Sequence, residues 1–127
     1  MMAVLHGLGW LFVLLLLVPT TAAADMATDR HLWLDIPEGK ETAFWAMGAG
    51  AILQEIAESY GCQEPRSFSG RTLQSASIDI MRGNLQIKPM IAVMMAYARL
   101  SGCEAAMDLW AQRMMDVKRS RNGPKGK

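Results

Sequence analysis

The residues that follow the first 24 predict a small all-α domain of four helices closed by one disulfide, and three observations carry that expectation. Apolar residues recur at helical spacing in four segments; glycine or proline punctuates those segments; and two cysteines stand just beyond two of the glycines, in "ESYGC" and "RLSGC".

The opening 24 residues, "MMAVLHGLGWLFVLLLLVPTTAAA", combine an unbroken apolar run from Leu11 to Val18, the helix breaker Pro19 and small residues at Ala22 and Ala24. That is the pattern of a secretory signal with an A-x-A cleavage site, so we expect a mature N-terminus at Asp25. The leader carries no Lys or Arg, which leaves retention as an anchor open. Its apolar run is nevertheless shorter than the ~20 residues that span a bilayer, so stable membrane insertion after cleavage is not expected. A periplasmic or secreted location follows, and with it an oxidising compartment in which two cysteines pair.

Residues 25–39 are mixed and end in "DIPEG", which reads as an irregular lead-in with Trp33 and Ile36 available for packing. The helical domain is expected over residues 40–119. Its first helix runs from Lys40 to Tyr60, with Trp45, Ile52, Ile56 and Tyr60 as the apolar side, Gln54, Glu55 and Glu58 as the wetter side, and Gly61 as the stop. Within it, Gly48 and Gly50 of "FWAMGAGA" cost about 1 kcal/mol each relative to alanine, so close approach of another helix is expected there. A second helix spans roughly Thr72 to Arg82 with Leu73, Ala76 and Ile80 on one stripe, and "GN" ends it. Lys88-Pro89 opens the third, because proline disfavours helical geometry in the residue before it and suits the first helical turn itself. This helix carries Met90, Ile91, Met94, Tyr97 and Ala98 towards Gly102. The fourth begins at Glu104 with Met107, Trp110, Met114 and Val117 at helical spacing.

Each cysteine follows a glycine stop, where the chain turns and a side chain reaches across to another helix end. We therefore expect a Cys62–Cys103 disulfide rather than a reactive thiol. After the leader only His31 remains as a histidine, a poor basis for nucleophilic catalysis; Asp29, His31 and Asp35 could be read as metal ligands, but such spacing is common and carries no second shell, so His31 reads as a surface histidine. No enzyme activity, cofactor or metal is expected. Nine methionines follow the leader, among them Met90, Met94, Met107 and Met114. They read as core filler or adaptable contact surface rather than copper(I) ligands.

Thirteen basic and 12 acidic side chains give a net charge of +1. Five of the basic ones, Lys118, Arg119, Arg121, Lys125 and Lys127, fall in the last ten residues with no acid, which leaves the preceding body mildly acidic. Residues 120–127 read as a basic flexible tail, solvated rather than applied to an anionic surface. Nothing else points to nucleic acid.

The segment over residues 43–103 resembles the small periplasmic immunity proteins of the Rap/Tai type, which protect bacteria from type VI secreted peptidoglycan amidases. The resemblance rests on the aromatic and glycine-rich "AFWAMGAGAI", on "GCQEP", on "TLQSASIDIM", on the proline-led "KPMIAVMMAYARL" and on the closing "GC". The additional cysteine pair that the group commonly carries near the first helix is missing. The resemblance implies a rigid helical protein that binds a toxic enzyme and occludes its cleft without chemistry of its own. On that reading the mixed-charge loop residues Glu64, Arg66, Phe68 and Arg71 are the candidate contacts, since loops on rigid scaffolds carry function and Arg and aromatic side chains anchor interfaces. The same residues also read as an ordinary polar connection. A periplasmic stress chaperone with a Met-rich client surface and a copper-binding protein are the alternative functions, and a homodimer is left open.

Overall fold

The computed structural model describes residues 25–122; the leader and residues 123–127 of the basic tail lie outside the described residues. The described chain is all-α. Residues 25–28 are helical (α1), and α2 (His31–Leu34), α3 (Lys40–Ser59), α4 (Gly70–Gly83), α5 (Pro89–Ser101) and α6 (Glu104–Asn122) follow. The long helix α4 packs against both α3 and α5, and α6 returns along the same two.

Local signals set the ends. Gly61 and Gly102 have φ of 101° and 76°, the left-handed geometry that lets the chain leave α3 and α5 without a Cβ clash. Ser69 begins α4, its hydroxyl accepting from the Thr72 N–H at 3.1 Å, so the helix starts ahead of the expected Thr72. Pro89 opens α5 after the extended Lys88. The serines of α4 are accommodated by back-bonding: buried Ser77 donates to the Leu73 carbonyl at 2.6 Å.

The buried faces differ from the expected stripes in a consistent way. In α3 the core side is Ala46, Leu53 and Ala57, whereas Ile52 is 63% exposed. Small residues let α4 come close: a Cβ on Gly70 would lie 2.8 Å from the Ala43 carbonyl oxygen, and one on Gly50 would lie 3.3 Å from Leu73 Cδ2. The expectation of close approach holds for Gly50, while Gly48 faces open space. Helix α4 buries Leu73, Gln74, Ser77, Ile78 and Met81, which leaves Ala76 and Ile80 at the border of its core face. Helix α5 turns Ala92, Val93, Ala96 and Tyr97 inward, with Met90 and Ile91 exposed. In α6, Ala106 and Met107 are buried, but Met114 and Val117 are exposed, because the helix outruns the bundle and every described side chain from Gln112 on is exposed. Helix α6 also continues to Asn122, so the start of the expected flexible tail is helical.

The lead-in expected to be irregular is ordered as helical turns, and it supplies two fastenings. Trp33 is fully buried in the core. Arg30 donates to the carbonyls of Met81 at 2.7 Å, Asn84 at 2.7 Å and Ile87 at 2.6 Å; the first two also accept the N–H groups of Asn84 and Ile87, so the guanidinium adds a second donor to each and ties the lead-in to the connection after α4. A guanidinium fork suits three diverging acceptors and a single ammonium does not. We expect Arg30→Ala to lower the unfolding free energy by about 2 kcal/mol, and Arg30→Lys to restore less than half of the loss. A urea midpoint equal to that of the unaltered protein would contradict this account. A second polar latch crosses the helices: buried Gln74 donates to the Gly39 carbonyl at 2.9 Å and to the Thr42 hydroxyl, tying α4 to the N-terminus of α3.

Candidate functional site

The Cys62–Cys103 disulfide is formed, with Cα atoms 5.6 Å apart, and neither cysteine is free. The connection that leaves α3 is held at three successive points. The Cys62 N–H donates to the Ala57 carbonyl at 2.9 Å, the sulfur is bonded to the start of α6, and the Arg66 N–H donates to the Ser101 carbonyl at 3.0 Å. Residues 62–69 therefore run over the end of α5 on a rigid support. Phe68 packs on the Tyr97 ring with centroids 5.5 Å apart and the planes tilted.

Between this connection and the outer side of α3 lies a groove of about 180 Å³. Met47, Gly50, Ala51 and Gln54 form one wall, Arg66 to Gly70 the other, and Leu73 and Tyr97 the floor. The groove opens beside an apolar patch: Phe44 is 72% exposed, Met47 55% and Ile52 63%. Residues 44, 48, 51 and 52 share one side of a helix, so Gly48 and Ala51 complete the patch at low relief. These three large apolar side chains are thus held out to water on the outer side of α3, next to the groove.

Of the four loop residues expected to make contacts, the structure brings Arg66 and Phe68 to this groove. Arg66 is exposed, and its guanidinium makes no hydrogen bond or ion pair among the described residues. Phe68 is half-buried against Tyr97 and serves as much to seat the loop as to present a surface. Glu64 is exposed but does not line the groove. Arg71 is turned to a structural task, donating to the Glu38 carbonyl at 2.8 Å. Helical periodicity alone does not pick out the exposed members of the patch, because it places Ile52 on the apolar side with Trp45 and Ile56. The available signal is that Phe44 and Ile52 are out of phase with the alanines Ala46 and Ala57.

The floor of the groove has one electrostatic feature. Burial pushes the Tyr97 phenol above its ordinary range; Ser101 opposes the rise through a contact outside standard hydrogen-bond geometry, and the Glu58 charge adds to it. The hydroxyl is buried without a hydrogen-bond partner among the described residues. A phenol raised in the folded state stabilises the fold at all pH values below its unfolded pKa of about 10, and that stability is lost as pH climbs beyond it. We expect thermal stability to fall as the pH rises above about 10. Tyr97→Phe should leave stability at pH 7 within about 1 kcal/mol while flattening the alkaline loss, since it removes a hydroxyl that has no partner. An unchanged alkaline slope in the variant, followed by circular dichroism melts, would refute the assignment.

His31 lies 3.7 Å from Asp35 on an exposed turn, and among the described residues no group of three or more His, Cys, Asp or Glu is arranged to hold a metal. Among the same residues no helix is long and apolar enough to cross a membrane. No protein family, characterised protein or solved structure matches this chain.

Proposed function

We propose that this chain is a small exported binding protein that grips a partner protein with the α3 patch and the adjoining groove, and so covers the partner's working surface. The partner class suggested by the sequence resemblance is a periplasm-acting toxin such as a peptidoglycan amidase, which would make the chain its immunity protein. One observation carries the reading: Phe44, Met47 and Ile52 stand exposed together beside an unengaged Arg66, on a frame that the disulfide makes rigid. Apolar anchors with an adjacent arginine, presented without flexibility, are the ingredients of an interface hot spot at low ordering cost.

The test is to purify the tagged protein from its periplasm under oxidising conditions, including cells challenged by sister cells with secretion systems, and to assay each stoichiometric hydrolase that accompanies it. We expect saturable inhibition of one enzyme, weakened about ten-fold or more by Phe44→Asp or by Arg66→Ala, and untouched by Glu64→Gln. A hydrolase inhibited equally by all three variants would rule out this surface. A broad client set that grows at low pH would instead indicate a chaperone.

A further inference from the structure

The second half of α6 presents a surface of a different kind. Trp110, Met114 and Val117 continue the line of buried Met107 along one side of the helix, yet Met114 is 47% and Val117 48% exposed. The stripe therefore carries the core face of α6 out beyond the bundle.

The charges around it are sorted by sign. Arg113, three residues after Trp110 and four before Val117, borders the stripe on one side. Lys118, four residues after Met114, borders it on the other, and Arg121 lies in line with the stripe one turn beyond Val117. Asp108 and Asp116 fall away from the stripe with Arg119 among them on the far side, while Glu104, three residues before Met107, lies at the bundle end of the helix before the exposed part of the stripe begins. Arg113 is held at its edge by the Tyr60 ring, 5.7 Å from the guanidinium carbon to the centroid. Beyond the described residues the sequence continues with Lys125 and Lys127 and no acid.

We propose that this stripe docks the protein peripherally on an anionic phospholipid surface, the apolar side chains entering the headgroup boundary while Arg113, Lys118 and Arg121 meet the phosphates. An apolar face bordered by cations, with acids turned away, is the charge pattern of an interfacial helix. A second copy of the chain is a poorer occupant. Two such stripes would bring their bordering cations together, and Trp110 to Val117 spans only about 11 Å, too little for the ~1,200 Å² that a stable dimer buries.

The experiment is co-sedimentation of the oxidised protein with vesicles of phosphatidylglycerol and phosphatidylcholine, or of phosphatidylcholine alone. We expect binding to the first that falls steeply with added salt, and little to the second. Lys118→Gln with Arg121→Gln should weaken partition by about five-fold for each cation removed, and Met114→Gln with Val117→Gln by a comparable amount. Arg119→Gln, on the far side, should change it less than two-fold, roughly. All five positions are exposed, so folding of the variants is checked simply by circular dichroism. Equal partition to both vesicle types, no partition to either, an effect of Arg119→Gln equal to the others, or a dimer in sedimentation velocity that Met114→Gln with Val117→Gln abolishes would each overturn the proposal.

Discussion

Replacing Trp33 by alanine should cost about 3–5 kcal/mol and, in a chain with a core this small, leave little folded protein at growth temperature. Among the described residues Trp33 is the largest side chain that is entirely shielded from water. Its indole N–H donates to the Met26 carbonyl at 2.9 Å, and its ring meets Trp45 edge to face with centroids 5.7 Å apart. Truncation would thus open a cavity, strip a buried carbonyl of its donor and remove an aromatic pair that exceeds simple area burial. Trp33→Phe separates these effects: it keeps most of the volume and loses the donor, so it should recover more than half of the deficit. Chemical denaturation of the three proteins measures this directly, and a Trp33→Ala variant within about 1 kcal/mol of the unaltered protein would show that the N-terminal turns contribute nothing to the core.

Opening the disulfide should have an effect of similar size by a different route. The bond joins residues 41 positions apart, and releasing a loop of that length frees the unfolded chain by about 4 kcal/mol on the entropic estimate. The Cys62→Ser, Cys103→Ser double variant and the reduced native protein should therefore show the same lowered stability. The folded state is affected too, because the bond is one of the supports of residues 62–69. Binding through the groove should weaken in the double variant even at temperatures where the helices remain formed. A variant that melts at the same temperature as the oxidised protein would remove the bond from any stabilising role.

These two effects illustrate which features can be read from local sequence. The helix ends were legible because their causes act within a turn: a positive φ at Gly61 and Gly102, and the restriction that Pro89 imposes on Lys88. The cysteine pair was legible because both members follow such stops. The buried faces were less so. Burial is decided by which neighbour approaches, and α4 approaches α3 over Ala43, Ala46 and Gly50, so larger side chains such as Ile52 and Phe44 are left outside. The same reasoning separates the loop candidates. Arg66 remains unengaged at the groove, whereas Arg71 meets a carbonyl more than thirty positions away, a partner that no spacing rule could name. The Arg30 fork belongs to the same class, since its acceptors lie over fifty positions along the chain.

The connection between α4 and α5 is exposed, with Leu85 84% accessible, and it falls inside the loop that Cys62 and Cys103 close. A protease that severs the backbone there does not release a fragment: the piece ending near Leu85 stays bonded through Cys62 to the piece bearing Cys103. Each half brings two long helices, and Arg30 of the first half still reaches the carbonyl of Ile87 on the second. A single cut in this connection therefore leaves one covalently joined and still packed molecule.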